Sequence, residues 1–390
     1  VTERLERYAR RFPDIQRAIP ERHRDMPYRC LLRMVRGRLE ATIGEEGHAY
    51  ASADEFVDDI NLIRDSLVEN RGEHAGLFSV ERLLCRIRTF GFHLVTLDVR
   101  QDALLHRRVM GELLGCDDWA ERDADNRAGV LAQLLKDGGL PEINDDSDLS
   151  DGAMEALAVF RSISSARQMY GGAAIGLFII SMTQGADDVL TAMALAKMAN
   201  PHTGAMAHLD VAPLLETVDD LDAGPAIISR LLEFGIYRDH LKGLNSRQAV
   251  MVGYSDSNKD SGIVSSRWAL HESQRRLVHA GKGQGIEIVF FHGRGGTVSR
   301  GGGNLINGIL GAPPDTVNGF LRLTEQGEVI NQKYGVRFLA LRNLELVTGA
   351  TLAHSLGQAA QGLDDGAVSY THLTLPTTSA LCRSRWSPYH

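Results

Sequence analysis

The chain has 390 residues, with 42 Lys and Arg against 50 Asp and Glu and a formal net charge of −8. Hydrophobic residues at 43% and charged residues at 24% are the balance of a soluble globular chain, and the length suits two to three domains or one barrel with additions. The acidic balance excludes a general nucleic-acid binder, which needs a basic face, and no apolar run approaches the roughly 20 residues of a membrane span.

The N-terminus has no secretory pattern, because Glu3, Arg4, Glu6 and Arg7 interrupt any apolar core. Cys30, Cys85, Cys116 and Cys382 show no C-x-x-C spacing. They read as reduced packing residues, which makes the cytoplasm the expected location. Residues 1–50 are rich in Arg and Glu and predict solvated helices, with Pro13 and Pro20 at helix starts or breaks. Ser52 and Glu55 form a capping box. After it, Phe56, Ile60, Ile63 and Leu67 fall on one face of an amphipathic helix. The stretch from Val80 to Phe90 repeats the pattern with Leu84 and Ile87, and Gly91 offers a left-handed cap.

From residue 92 the texture changes. Short apolar runs alternate with longer helical stretches: Phe92–Val99, Ala174–Ser181, His208–Leu215, Ala249–Tyr254 and Ile286–Phe291. Such alternation predicts βαβ units and a parallel sheet. The polar residues ending four of these runs, Ser181, Glu216, Asp256 and His292, lie 35, 40 and 36 positions apart. That step suits successive strand-plus-helix units of a barrel, whose chemistry sits at the C-terminal strand ends. An open doubly wound sheet obeys the same rule, so spacing leaves both architectures open. The acidic stretch from Gly138 to Gly152 reads as a solvated excursion. Ser369–His390 has no Asp or Glu and no periodicity, and predicts a disordered tail.

Five segments carry chemistry. Phe291 to Gly303 packs six glycines with His292, Arg294 and Arg300. Glycines let backbone N–H groups approach a ligand, and arginine grips phosphate or carboxylate bidentately, so this segment predicts anion binding. It is neither a Walker loop nor a G-x-G-x-x-G fingerprint, since Val298 stands where the third glycine belongs. Gly253 to Gly262 holds Asp256, Asn258, Lys259 and Asp260 and reads as a polar loop. A calcium EF-hand reading fails, because Ser261 replaces the loop glycine and Arg267 the final glutamate. Glu216 ends an apolar strand, and Glu216 with Asp256 would suit Mg²⁺, which takes few carboxylates plus waters and substrate oxygens. Asp219 and Asp220 suit the first turn of the next helix. Arg100 at a strand end suits a phosphate, with Asp98 placed to orient it. The run Thr324-Glu325-Gln326-Gly327-Glu328 is polar without a readable role.

Together these segments resemble phosphoenolpyruvate carboxylase. Phe90 to His93 with Leu97 to Gln101, the Ala212–Leu221 strand end, Tyr254 to Gly262, Phe291 to Gly303 and Thr324 to Tyr334 occur in that family's order, over roughly residues 20 to 365. The resemblance implies a predominantly α-helical α/β fold, a TIM-type β/α barrel with many added helices, here incomplete. Residues 1–88 would be a helical region, 89–366 a partial barrel carrying the site, and 367–390 a tail foreign to the family. It further implies a cytoplasmic homotetramer requiring Mg²⁺ or Mn²⁺. That enzyme carboxylates phosphoenolpyruvate with bicarbonate to oxaloacetate and phosphate. Residue by residue, Glu216 and Asp256 would ligate the metal. Arg100, Arg294 and Arg300, with Gly295 and Gly296, would bind phosphate. His292 and Lys259 would help hold the bicarbonate or the CO₂ derived from it. Arg300 would also serve a site for an inhibitory dicarboxylate effector, and Gly293 to Gly303 would form a lid.

The family carries a catalytic histidine in a Thr-Ala-His-Pro-Thr-Glu segment, which this sequence does not contain, and continues well beyond residue 365. An internal piece, inactive alone, is therefore expected. The alternative is a non-catalytic truncated form that binds effector or pairs with full-length subunits.

Overall fold

The computed structural model describes residues 1–44, 47–143, 149–201, 209–293, 305–325 and 327–357. It divides into two compact units, Val1–Leu97 with Ile163–Gly176, and Asp98–Ser162 with Leu177 onward.

The first unit is built from α1 (Thr2–Arg11), α2 (Pro13–Arg17), α3 (Pro27–Gly44), α4 (Ala53–Glu69) and α5 (Phe78–Phe90). Ser52 accepts from the Glu55 N–H at 3.3 Å and opens α4, while the Glu55 carboxylate reaches back to the Ala51 N–H at 3.1 Å. Phe56, Ile60, Ile63 and Leu67 bury one face of α4, as their spacing predicts. Leu84 and Ile87 do so on α5, and Gly91 ends it at φ +51°. The expectation of solvated helices before residue 50 is corrected. Tyr8, Phe12, Leu31 and Met34 are each at most 2% exposed and share one core with α4 and α5.

The arginines that suggested solvation are partly internal. Asp59, fully buried, accepts hydrogen bonds from Tyr8 and Tyr50 at 2.7–2.8 Å and from Arg4 at 2.6 Å. Arg38, also fully buried, lies 3.8 Å from Asp59 and 2.8 Å from Glu55, and its guanidinium sits 3.8 Å from the Tyr50 ring centroid. A buried charge is tolerated only when paired and hydrogen-bonded, and these are. Burial, reinforced by the Asp59 charge, pushes the Tyr50 phenol above its ordinary range.

The second unit holds a six-stranded sheet in the order β1 (Leu97–Asp102), β2 (Ile175–Ser181), β3 (Asp210–Leu215), β4 (Arg247–Gly253), β5 (Glu287–Gly293) and β6 (Arg322–Leu323). The strands are parallel and curl into a half-barrel, the incomplete α/β barrel expected. Helices α6 (Ala103–Leu114), α7 (Ala124–Asp137), α8 (Asp151–Tyr170), α9 (Ala186–Ala199), α10 (Val218–Glu233), α11 (Gly235–Lys242) and α12 (Ser255–Lys282) intervene. They are followed by α13 (Leu305–Leu310), α14 (Gly327–Tyr334) and α15 (Arg337–Ser355). Two boundaries differ from expectation. The first strand starts at Leu97, because residues 91–95 turn after α5 and Leu94 adopts φ +65°. The polar stretch after Gly253 is the first turn of α12 and not a loop. A break at Gly262, φ +78°, interrupts that helix. The Ser257 and Ser261 hydroxyls donate back to the carbonyls of Gly253 and Ser257 at 3.2 and 3.0 Å, so short polar side chains are satisfied inside the helix, and glycine takes the φ at the break without strain.

Alternate residues Leu177, Ile179, Ala212, Leu214, Ala249, Met251 and Phe291 fill one face of the curled sheet as a single apolar cluster. Burying each of the leucine, isoleucine, methionine and phenylalanine side chains among them stabilises the fold by about 1.5–3 kcal/mol. Behind β1 and β2, Arg107 forks onto Asp188 with two 2.8 Å contacts and reaches Gln184 at 3.0 Å, and Arg127 holds Asp187 at 2.7 Å. These buried pairs fasten α6 and α7 to α9 and fix the turn after β2.

Asp210 opens β3, on the alternation shared with Ala212, Leu214 and Glu216. Burial pushes its carboxyl up to about 6; Arg322 opposes the rise and Asp98 adds to it. A carboxyl raised in the folded state binds its proton there more tightly than when unfolded. Asp210 therefore costs stability as pH rises from about 4 through about 6. His106, pushed down to about 4 by burial, acts oppositely in the same window. Asp210→Asn isolates the first effect. The variant is expected to be more stable than the parent by roughly 1–3 kcal/mol at pH 7, with the advantage vanishing near pH 4. Urea unfolding at several pH values checks this, and an advantage independent of pH would contradict it.

Candidate active site

The C-terminal ends of β3, β4 and β5 lie side by side. Leu215 pairs with Val252, Val252 with His292, and Gly253 with Gly293. Two glycines let these ends approach closely. A Cβ on Gly253 would stand 3.1 Å from Cα and 3.4 Å from Cγ of Glu216, and one on Gly293 would stand 3.1 Å from the Val252 carbonyl oxygen. Glu216 follows β3 directly, and its side chain is only 14% exposed. Its backbone N–H is capped by Asp220 at 3.2 Å, and Asp220 and Thr217 complete the N-terminal cap of α10. Asp219 and Asp220 thus occupy the first helical turn, as expected.

Arg100, from β1, donates to Glu216 Oε1 at 3.0 Å. This brings together a predicted phosphate ligand and a predicted metal ligand from strands β1 and β3. Arg100 remains half exposed, so its remaining donors face solvent. Asp256 and Lys259 lie one turn apart on α12 with Nζ 2.8 Å from Oδ1, both substantially exposed. The Asp256 hydrogen bond and charge hold the Lys259 ammonium above its usual range. His292, the penultimate residue of β5, has Nδ1 3.0 Å from the Tyr254 hydroxyl, and its carbonyl accepts from the Thr324 N–H at 2.9 Å. Arg294, Gly295, Gly296 and Arg300 lie outside the described residues, as does the rest of the glycine-arginine segment through Gly303. Asp145, Asp146 and Asp148 of the acidic stretch and the tail Ser369–His390 do so too.

Asp98 is engaged by Arg322, 2.5 Å from both carboxylate oxygens, and accepts from the Leu177 N–H at 2.8 Å. The Arg322 guanidinium also lies 4.9 Å from the Phe291 ring centroid. This ionic bridge ties the first strand of the sheet to the last. Sequence reasoning missed Arg322 and Asp210. The only signal was their position at the start of an apolar or β-branched stretch, on the alternation of the inward-facing residues. It also missed β6, because a strand of two residues has no periodicity to read.

The donor chemistry of Glu216 and Asp256 fits a hard divalent cation. Each offers carboxylate oxygens, Glu216 is partly desolvated, and a cationic side chain already balances each. Among the described residues no group of three or more His, Cys, Asp and Glu gathers as a protein-only cage. No described helix is long and apolar enough to cross a membrane.

The chain matches the family model of phosphoenolpyruvate carboxylase over residues 1–372, beyond both limits of the motif resemblance. It is 47% identical over 354 residues to the phosphoenolpyruvate carboxylase of Xanthomonas campestris pv. campestris strain 8004, covering 90% of this chain and 39% of that protein. The Mycobacterium leprae enzyme of the same name is 38% identical over 386 residues, 93% of this chain and 41% of that protein. That of Nocardia farcinica is 37% identical over 366 residues. The chain spans about two fifths of the length of these relatives. Such a match, over nearly the whole chain and on a half-barrel whose strand ends carry the motif residues, makes this chain a member of the phosphoenolpyruvate carboxylase family.

Proposed function

We propose that this chain is the metal- and phosphate-binding part of an enzyme that carboxylates phosphoenolpyruvate with bicarbonate, yielding oxaloacetate and phosphate. The observation that carries the reading is the Arg100–Glu216 contact at the glycine-lined strand ends, in a chain of this family. Glu216 and Asp256 would hold Mg²⁺ or Mn²⁺, which supplies positive charge for phosphoryl and enolate oxygens. Arg100 presents its free donors to the phosphate, and Arg294 and Arg300 add bidentate donors from the glycine-rich segment. Bicarbonate oxygen attacks phosphorus, the enol oxygen leaves as the pyruvate enolate, and carboxyphosphate breaks down to CO₂ and phosphate. The enolate carbon then attacks CO₂. His292 and Lys259 hold the bicarbonate and the CO₂ derived from it. Exclusion of water by the segment from Gly293 to Gly303 protects the enolate from protonation to pyruvate. The complete enzyme acts as a cytoplasmic homotetramer with a dicarboxylate effector site that includes Arg300.

Asp256→Ala, at the matching position of the full-length Xanthomonas campestris relative, tests the reading. Its oxaloacetate formation is expected to fall at least a hundredfold, with part of the rate regained at raised Mn²⁺. Unchanged turnover and unchanged metal dependence would overturn the assignment of Asp256.

A further inference from the structure

The turn that carries Asp256 is set apart from the rest of α12. At Gly262 the backbone takes φ +78° and ψ 165°, a conformation that residues with a side chain reach only under strain. A Cβ there would meet nothing within 4 Å, so the glycine serves the conformation and not close packing. Residues 255–261 therefore form a short helical turn joined to the long body of α12 by a pivot. Within it, Lys259 donates to Asp256 at 2.8 Å, and the Ser261 hydroxyl to the Ser257 carbonyl at 3.0 Å. Both bonds travel with the turn. Ser257 reaches beyond it on both sides. Its hydroxyl, on a fully buried residue, donates to the carbonyls of Gly253 and Tyr254 at 3.2 and 3.4 Å. Across the break it meets the hydroxyl of Ser266, equally buried, at 2.7 Å. A serine has one proton to give, so with that proton on the carbonyls Ser257 accepts from Ser266.

The anchor on the strand side also touches Glu216. A Cβ on Gly253 would stand 3.1 Å from the Glu216 Cα, so the two backbones lie against one another. One buried hydroxyl thus links the turn bearing one carboxylate to the strand end that adjoins the other. We propose that Ser257 is a positioning residue for Asp256. Latched by Ser266 across the break, it holds the Asp256 and Glu216 carboxylates at the spacing that one divalent cation needs. Mg²⁺ demands near-ideal octahedral geometry, so a turn free to pivot at Gly262 would bind it poorly. The inference rests on the reading of Asp256 and Glu216 as metal ligands; Ser257 itself acts through the backbone.

The test uses the full-length Xanthomonas campestris relative carrying residues 1–372 of this chain. Mn²⁺ binding, read by water-proton relaxation, is measured beside urea unfolding. Ser257→Ala is expected to raise the Mn²⁺ dissociation constant about tenfold. Ser266→Ala should raise it less, since Ser257 keeps its bond to the Gly253 carbonyl. Both should lower the urea midpoint, because each leaves one buried hydroxyl without its partner. Combining Ser257→Ala with Ser266→Ala leaves no such hydroxyl. The midpoint should then recover most of the loss, while Mn²⁺ binding stays as weak as in Ser257→Ala. Asp256→Ala is the control for the metal reading. If Asp256→Ala weakens Mn²⁺ binding but the double variant binds as tightly as the parent, the serines are only structural. The positioning role is then overturned and the metal reading stands. If Asp256→Ala binds Mn²⁺ as the parent does, the metal role of Asp256 fails, and the proposal with it.

Discussion

Glu216→Gln, placed in a full-length carboxylase at the matching position, is expected to lower the rate of oxaloacetate formation by a factor of about 10²–10³ at saturating Mg²⁺. Glutamine preserves the size of the side chain, so the glycine-lined wall made by Gly253 should be undisturbed. What changes is charge. A neutral amide is a poor ligand for a hard divalent cation, and Arg100 loses the carboxylate it touches at 3.0 Å. Two losses then reach the phosphate, a weakened metal site and an arginine released from its anchor. The metal concentration for half-maximal rate should rise with the loss of turnover. A variant whose rate and metal dependence both equal the parent's would remove Glu216 from the site.

The second large effect concerns stability and lies far from the strand ends. Asp59→Ala is expected to destabilise the first unit by about 3–5 kcal/mol, because removing one partner of a buried ion pair leaves the other charge uncompensated. Arg38, fully buried, would lose a carboxylate 3.8 Å away, Arg4 would lose one at 2.6 Å, and the Tyr8 and Tyr50 hydroxyls would lose their acceptor. Urea unfolding of the 390-residue chain should show an early transition absent from the parent. A loss below about 1 kcal/mol would mean that water or Glu55 replaces Asp59 as the partner of Arg38.

The strands and the motif residues were legible because their signals are local. An apolar run ending in a lone charged residue predicts a buried strand with a functional end. Five of the six strands, and the placement of Glu216 and His292 at their ends, follow from that pattern alone. The half-barrel was legible only through the family resemblance, since spacing also fits an open sheet. What stayed hidden depends on pairs distant in sequence. Arg38 falls in a stretch that reads as solvated helix, and nothing in the sequence singles out Asp59, until α3 and α4 bring them together. Arg322 and Asp98 are separated by 224 positions and meet only because the sheet curls. The stretch after Tyr254 was read as a loop because its small polar residues are equally at home in turns and helix caps. The break at Gly262 preserves part of that character inside a helix.

If this half-barrel carries the carboxylation site, carboxylation should survive its transfer into a complete enzyme. The most direct test exchanges residues 1–372 of this chain for the matching segment of the full-length Xanthomonas campestris enzyme. Oxaloacetate formed from phosphoenolpyruvate and ¹³C-bicarbonate is then followed. Labelled oxaloacetate and phosphate should form in equal amounts, dependent on divalent metal and lost with Glu216→Gln. A folded chimera that binds phosphoenolpyruvate but forms no labelled oxaloacetate, or one whose activity survives Glu216→Gln, would contradict that placement of the site.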